Sequence, residues 1–216
     1  MKILLISASP RGLQSNTLKL AREVGKGTGV EVEEVRLNEL KIEFCRSCEV
    51  CHQKIMTCPV KDDAFSLLKK MLSADGLILA TPNYINQVAG SLKTLMDRSS
   101  HFIHCLRLLN KYAVGVVSSG GGQDSPVLNY LKEYTNLCGA QYSGGISAAS
   151  FRLKEKYEEA ASLGKKLLQD IQEKTVYPDQ AAFIENLKKN FGNLIQMRKN
   201  DWKEEYAYWV KQGWLK

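Results

Sequence analysis

The stretch Ser9–Thr17, with the sequence SPRGLQSNT, joins the apolar run Ile3–Ile6 to Leu18–Val24, whose apolar residues recur at helical spacing. Ser15 is a suitable N-cap for that helix, and the free N–H groups at a helix N-terminus attract anions. Arg11 can add a charge-assisted contact to the same anion. The stretch therefore predicts a strand, a phosphate-binding loop and a helix; the alternative is an ordinary polar turn. It matches neither the Walker loop nor Gly-x-Gly-x-x-Gly.

Strand and helix patterns alternate along the chain. Strands are predicted at residues 2–8, 30–36, 76–80, 112–117 and 141–149. Helices are predicted at residues 15–26, 64–72, 90–105, 127–138 and 154–174, with one or two more in 181–211. Alternating strands and helices form right-handed β-α-β units. We therefore expect an α/β fold with a doubly wound, five-stranded parallel sheet of order 2-1-3-4-5.

Polar loops follow strands one, three and four. The second of these loops is Thr81–Gln87 and the third is Ser118–Gly122. Pro82 and Tyr84 offer rigid apolar contact, and the run Gly120–Gly122 allows close backbone approach. In doubly wound sheets, ligands bind at the carboxyl ends of the strands where the strand order reverses. These loops are neighbours in the expected order, so the sequence predicts that they form one ligand site.

Composition indicates a globular protein with no membrane-spanning segment. The chain has 216 residues, of which 44% are hydrophobic, and its apolar runs are short. The N-terminus lacks the features of a secretory signal, so we expect a cytoplasmic protein. A net charge of +7 favours anionic ligands or acidic partners. Because the Lys residues are interspersed with Glu and no nucleic-acid module is recognised, we expect neither nucleic acid nor a membrane as partner.

Four of the six cysteines lie in one loop, residues 37–63, with the spacing Cys45-x2-Cys48-x2-Cys51-x6-Cys58. A loop of this length inside a compact domain is usually functional. Runs of Cys-x2-Cys-x2-Cys are typical of [4Fe–4S] ligation, whereas structural zinc usually uses two separated Cys-x2-Cys pairs. The spacing therefore favours an iron–sulfur cluster over zinc.

The other cysteines and the histidines are expected to have supporting roles. Cys105 and Cys138 lie in apolar helical segments and are expected to be buried. His52 lies inside the cysteine loop, where we expect either a solvent-exposed position or one behind the thiols, since four Cys suffice as ligands. His101 and His104 are expected at the surface or at an interface.

These motifs resemble those of the flavodoxin-like NAD(P)H-dependent FMN reductases, and within that group those of the iron–sulfur flavoproteins. The resemblance covers about the first 150 residues and rests on residues 9–11, 15–17, 81–84, 90–93, 96–98 and 119–122. It implies that the first loop holds the FMN phosphate and that the other two contact the isoalloxazine ring. Asn83 stands where relatives often have Val or Leu. The implied FMN-binding residues are Ser9, Arg11, Ser15, Asn16, Thr17, Pro82, Asn83, Tyr84, Ile85, Asn86, Ser119, Gly120, Gly121 and Gly122.

The resemblance implies an FMN-dependent oxidoreductase that passes electrons between NAD(P)H or a ferredoxin-type carrier and an acceptor. It also implies a [4Fe–4S] cluster on Cys45, Cys48, Cys51 and Cys58, although clusterless members keep several cysteines in this loop and a native cluster can be lost in air. No catalytic side chain is expected, because the flavin carries the electrons. The alternatives are a clusterless NAD(P)H-dependent FMN or quinone reductase and a non-enzymatic flavin redox sensor.

Residues 1–177 are expected to form the FMN-binding domain, and residues 178–216 a C-terminal helical extension. The extension contains all three Trp residues of the chain, and large aromatic side chains are enriched at interfaces. Relatives form dimers or tetramers with the flavin near a subunit boundary. The resemblance therefore implies a homo-oligomer, a dimer or tetramer, in which the extension packs on a neighbouring subunit. The alternative is that these helices cover their own sheet.

Overall fold

The computed structural model describes residues 1–215, which form a parallel sheet with helices on both faces. The strands are β1 Ile3–Ser7, β2 Val32–Arg36, β3 Gly76–Pro82, β4 Tyr112–Ser119 and β5 Gln141–Ala149. They lie in the order β2-β1-β3-β4-β5, and each neighbouring pair is parallel. The predicted flavodoxin-like, doubly wound sheet is confirmed.

The helices divide between the two faces of this sheet. They are α1 Asn16–Gly27, α2 Val50–Gln53, α3 Ala64–Ser73, α4 Gly90–Arg98, α5 Ser100–His104, α6 Ser125–Leu137, α7 Tyr157–Glu173, α8 Pro178–Met197 and α9 Lys203–Lys211. Helices α1 and α7 pack on one face, and α3, α4 and α6 pack on the other. Because both faces are covered, the central strands β1 and β3 are apolar along nearly their whole length. No helix within residues 1–215 is long and apolar enough to cross a membrane.

Helices α1 and α7 approach each other so closely that their backbones touch. A Cβ atom built on Gly27 would lie 2.0 Å from the carbonyl oxygen of Ala161, and one built on Gly164 would lie 1.9 Å from that of Val24. Any larger residue at either position would therefore push the helices apart. These glycines fix the spacing of the helix pair that covers one face of the sheet.

Helix boundaries differ from the predicted ones where side chains bond to the backbone. The helix predicted at residues 90–105 is interrupted at Ser99, whose hydroxyl donates to the carbonyl of Met96 (2.7 Å) and contacts the Tyr134 hydroxyl (2.8 Å). Such local hydrogen bonds compete with a continuous helix. The helix predicted at residues 154–174 begins at Tyr157, after a 3-10 segment at Ser150–Lys156.

The C-terminal helices pack on the chain's own domain. Gln180 of α8 bonds to both the N–H and the C=O of Tyr142, so it satisfies backbone groups on the outer edge of β5. Helix α9 packs against α2 in the cysteine loop, and Trp202 and Trp209 are buried there with Cys105. These two Trp side chains thus lie against their own subunit and not on the sheet. That the extension packs on a neighbouring subunit remains a prediction. The division of the chain at residue 178 remains a prediction.

Candidate functional site

A cavity of about 270 Å³ opens at the carboxyl ends of β1, β3 and β4. Its lining comes from all three predicted loops and from the residue after β5. The lining residues are Ser9, Arg11, Ser15, Asn16, Thr17, Pro82, Asn83, Tyr84, Ser118, Ser119, Gly120 and Ser150. The structure therefore brings ten of the predicted flavin-site residues together, while Ile85, Asn86, Gly121 and Gly122 lie outside the cavity lining.

The first loop presents the N-terminus of α1 to this cavity. The Ser15 hydroxyl accepts a hydrogen bond from the N–H of Leu18 (3.0 Å), which confirms Ser15 as the N-cap. Thr17 is buried, and its hydroxyl lies 2.6 Å from that of Ser118 at the end of β4. This contact joins the first loop to the third. Arg11 is exposed at the mouth of the cavity, where it can reach an anion.

The second loop reverses direction through a tight turn. Tyr84 and Gln87 exchange both of their backbone hydrogen bonds, at 3.0 and 3.1 Å. The two residues between them, Ile85 and Asn86, both have positive φ, 53° and 58°. A β-branched residue at positive φ is strained, and Ile85 is also 98% exposed. The turn therefore projects an apolar side chain outward beside the cavity.

The third loop is tied to the second through Asp124. The amide nitrogen of Asn83 donates to one carboxylate oxygen of Asp124 (2.9 Å), and the Ser119 hydroxyl donates to the other (3.1 Å). The Ser119 hydroxyl also accepts from the N–H of Gly122 (2.8 Å). Asn83 therefore has a polar partner that Val or Leu could not bond.

A second cavity, of about 670 Å³, is bordered by the cysteine loop. The thiols of Cys45, Cys48, Cys51 and Cys58 all line it and are free. Cys45 and Cys48 are exposed, whereas Cys51 and Cys58 are partly buried. The structure thus brings the four predicted ligands to one cavity. Cys105 and Cys138 are buried, as predicted.

The base of the cysteine loop is closed by hydrogen bonds between its two ends. The N–H of Lys41 donates to the Asp63 carboxylate (2.8 Å), and the N–H of Asp63 donates back to the carbonyl of Lys41 (3.0 Å). The N–H of Glu43 donates to the Asp62 carboxylate (2.9 Å). Between these ends the loop is mostly irregular, so this closure holds the four thiols over one part of the surface.

Helix α9 holds the middle of the loop through Glu205. One carboxylate oxygen of Glu205 lies 2.7 Å from Nδ1 of His52, and the other lies 3.1 Å from Nδ1 of His104. The two imidazoles stack, with ring centroids 4.6 Å apart, and Trp202 packs beside both. The Nε2 atom of His52 lies 3.5 Å from the Ser100 hydroxyl, which in turn lies 3.7 Å from the Cys51 sulfur.

The surroundings of His52 favour the protonated, positively charged form of its imidazole. Burial lowers the pKa of His52, but hydrogen bonds with Cys51 and Glu205 outweigh it and raise the pKa to about 10. Burial would raise the pKa of the Cys51 thiol, but the hydrogen bond and the charge of His52 lower it. His52 therefore lies behind the thiols, which is one of the two positions expected for it.

His101 does not lie at the surface, and that expectation was wrong. Its side chain is fully buried, and burial together with the charge of Arg107 lowers its pKa to about 4. The ring stacks on Phe65 and contacts the sulfur of Met56. His101 is thus a core residue beneath the cysteine loop.

Comparison with known proteins identifies the family. Residues 1–152 match the family described as NADPH-dependent FMN reductase. The chain belongs to this family. It is 39% identical to an iron–sulfur flavoprotein of Methanocaldococcus jannaschii, over 59% of this chain and 68% of that protein. It is also 29% identical to an iron–sulfur flavoprotein of Archaeoglobus fulgidus over the full length of both.

Solved structures show the same fold at low sequence identity. A flavone reductase superposes with a TM-score of 0.63 at 21% identity, over 80% of this chain and 63% of that one. An FMN-dependent NADH-azoreductase of Bacillus anthracis superposes with a TM-score of 0.55 at 14% identity, over 78% of this chain and all of that one. The flavoprotein described here is thus an FMN-dependent oxidoreductase of the iron–sulfur flavoprotein group, which confirms the resemblance and the FMN cofactor that the resemblance implied.

Sequence reasoning missed two hydroxyls of the first cavity and the buried partners of the second. Ser118 lies in the third predicted loop but was not among the implied FMN-binding residues, and Ser150 directly follows β5. Both line the first cavity, and a position at or just after a strand end was the available signal. Glu205 and Arg98 lie beside the cysteines, although Glu205 is far from them in sequence. No local pattern marks Glu205, because its neighbours are ordinary charged residues of an amphipathic helix.

Arg11→Ala is expected to weaken FMN binding by about 1–3 kcal/mol, the usual cost of losing a hydrogen bond to a charged group. Thr17→Ala is expected to weaken it by a similar amount, because the helix N-terminus then loses its link to Ser118. Quenching of FMN fluorescence on binding to the apoprotein measures both affinities. Arg22→Ala is a matched control, since Arg22 lies on the same helix but pairs with Glu34. Unchanged affinity in both Arg11→Ala and Thr17→Ala would contradict the phosphate site.

Proposed function

We propose that this flavoprotein passes electrons between NAD(P)H or a ferredoxin-type carrier and a further acceptor through FMN and a [4Fe–4S] cluster. The observation that carries the proposal is the meeting of four free thiols at one cavity. The proposed ligands are Cys45, Cys48, Cys51 and Cys58. Relatives named iron–sulfur flavoproteins support it.

The cavity offers four thiols, the number that a [4Fe–4S] cluster needs, and positive side chains that suit its negative charge. A cluster held by four thiolates is anionic, and two cationic side chains face the thiols from below: His52 beside Cys51 and Arg98 beside Cys58. When bound, such a cluster supplies one-electron transfer. The chain's own part is to orient the thiols through the closed loop base and through Glu205, and to stabilise their negative charge.

At the flavin site, the chain is proposed to bind and orient the cofactor. The N-terminus of α1 and Arg11 hold the phosphate. Pro82 and Tyr84 pack on the ring, and the third loop, anchored by Asp124, closes over its polar edge. The other proposed contacts come from Ser9, Ser15, Asn16, Thr17, Asn83, Ile85, Asn86, Ser119, Gly120, Gly121 and Gly122. No catalytic side chain is assigned, since the flavin performs the redox chemistry.

Absorption spectra and metal analysis of protein purified without oxygen test this proposal. We expect FMN together with four iron and four sulfide ions per chain, with iron retained through gel filtration. FMN-loaded protein that takes up no iron, even after anaerobic reconstitution, would contradict the cluster and favour the clusterless FMN or quinone reductase. Steady-state turnover with NADH, NADPH and reduced ferredoxin then identifies the donor. Absence of turnover with all three would favour a flavin redox sensor.

We also propose that the protein is a cytoplasmic homo-oligomer, a dimer or tetramer. Three apolar side chains are exposed next to residues that line the flavin cavity: Leu13, Ile85 and Phe151. Exposed apolar patches commonly mark protein interfaces. The free thiols suit a reducing compartment. Ile85→Asp and Phe151→Asp are expected to lower the mass measured by light scattering; an unchanged mass in both would contradict this interface.

A further inference from the structure

Arg98 is a buried cation beneath the cysteine loop. It lies in the last turn of α4, and its side chain is only 1% exposed. One guanidinium nitrogen, Nη1, bonds to the Asp62 carboxylate (2.5 Å) and donates to the carbonyl of Glu43 (2.8 Å). The other, Nη2, donates to the second oxygen of Asp62 (3.1 Å) and lies 3.3 Å from the sulfur of Cys58. Arg98 thus joins both ends of the loop to one of its thiols.

The negative charge of Asp62 is shared among several donors. Its side chain is fully buried and also accepts from the N–H groups of Glu43 (2.9 Å) and Ala64 (3.1 Å). An arginine guanidinium is not deprotonated in proteins, and Nη2 of Arg98 faces the Cys58 sulfur at 3.3 Å. The guanidinium therefore remains charged, and part of its charge is directed at Cys58.

The contact with Cys58 comes from an arginine, whereas the cation beside Cys51 is His52. The Cys51 sulfur meets the Ser100 hydroxyl at 3.7 Å, and the Cys45 sulfur accepts weakly from the N–H of Ser47 at 3.4 Å. Within residues 1–215, Arg98 alone among Arg and Lys side chains donates to a sulfur of this loop. Hydrogen bonds and net charge at the ligand sulfurs are among the factors that set the reduction potential of a cluster.

We propose that Arg98, held in place by Asp62, stabilises negative charge on the Cys58 sulfur and thereby raises the reduction potential of the cluster. The proposal rests on the proposed function, since it assumes that Cys58 is a ligand. One-electron reduction adds one negative charge to the cluster and its thiolates. A fixed positive charge and an N–H donor at one sulfur stabilise that reduced state more than the oxidised state.

The test is a measurement of the cluster's reduction potential in the reconstituted, FMN-loaded protein. The protein is titrated with dithionite, and the reduced cluster is monitored by electron paramagnetic resonance. Arg98→Gln is expected to lower the equilibrium constant for cluster reduction about tenfold, which is a shift of about 59 mV to more negative potential for one electron. Arg98→Lys keeps the positive charge but cannot make all the hydrogen bonds of the planar guanidinium. The cluster potential of this variant should therefore lie between those of wild type and Arg98→Gln.

A second variant tests the proposal in case Arg98→Gln fails to fold. Removing one partner of a buried ion pair is strongly destabilising, so Arg98→Gln/Asp62→Asn removes both charges and keeps a polar network. Its potential should shift in the same direction by a smaller amount. If neither Arg98→Gln nor the double variant retains iron, the proposal is tested with Arg98→Lys. A cluster potential equal to that of wild type in Arg98→Lys then overturns the proposal. Arg198→Met is the matched control, because Arg198 bonds to Glu49 of the same loop (2.6 Å) without a sulfur contact. The cluster potential of this variant should equal that of wild type.

The outcomes separate this inference from the proposed function. A wild-type protein that holds a cluster, with an unchanged potential in the Arg98 variants, overturns the inference and leaves the function standing. A wild-type protein that takes up no cluster overturns both. An equal negative shift in Arg198→Met would attribute the effect to general loosening of the loop and would also overturn the role of Arg98.

Discussion

Cys51→Ala is expected to remove most of the iron from protein purified and reconstituted without oxygen, while the FMN content stays near that of wild type. The same result is expected for Cys45→Ala, Cys48→Ala and Cys58→Ala, because each of the four thiolates would bind one iron of the cluster and the loss of any one leaves that iron without a protein ligand. FMN is retained because the three loops of its cavity share no lining residue with the cysteine cavity. Iron is measured by plasma mass spectrometry, and FMN by its absorbance after release.

Cys138→Ala is the matched control for this series. Cys138 is buried at the end of α6 and is not among the residues that line the cysteine cavity. The Cys138→Ala protein is therefore expected to contain as much iron as wild type. Iron content that is indifferent to all four loop substitutions would refute the ligand assignment. Loss of FMN together with iron would show that the two cavities are coupled, contrary to their separation in the structure.

Gly164→Ala is expected to lower the free energy of unfolding by about 3 kcal/mol, near the upper end for overpacked cores. The new Cβ would lie 1.9 Å from the carbonyl oxygen of Val24, and a backbone atom cannot move aside without moving α1. Because α1 carries the first loop at its N-terminus, FMN affinity should fall as well. Urea denaturation of the apoprotein, followed by circular dichroism, measures the change.

Gly192→Ala separates the packing effect from helix propensity. Gly192 also lies inside a helix, but a Cβ there would meet Trp209 at 3.5 Å, an ordinary contact distance. Alanine favours the helical backbone over glycine by roughly 0.5–1 kcal/mol. Gly192→Ala should therefore stabilise the protein slightly. If Gly164→Ala is also neutral or stabilising, the close approach of α1 and α7 is wrong.

The parts of the fold that depend on local signals were predictable from the sequence. Apolar runs predicted the central strands, and alternating apolar and acidic residues predicted β2. Ser15 marked the start of α1 through a hydrogen bond made within its own helical turn. The order of the strands was expected because 2-1-3-4-5 is a common order of doubly wound sheets, and not because of any single residue. Three polar segments at strand ends were sufficient to predict where a cavity opens at the edge of the sheet.

The parts that depend on distant contacts were not predictable. His101 and His104 were assigned to a surface or interface because histidine is commonly found there, yet His101 is enclosed by Phe65 and Phe102. Whether a polar residue is buried depends on which partner reaches it, and the partner of His104 and His52 is Glu205 on the last helix. Spacing alone cannot reveal a pairing across so many residues.

The contact between α9 and the cysteine loop has a consequence for the order of events during synthesis. His52 and Glu205 are 153 residues apart. At a translation rate of about 5–20 residues per second, the ribosome takes roughly 8–30 s to reach α9 after the loop has been made. Throughout that interval the nascent chain carries the four cysteines without the helix that contacts His52 in their loop. The pocket is therefore completed only after α9 has been made and has packed on the loop.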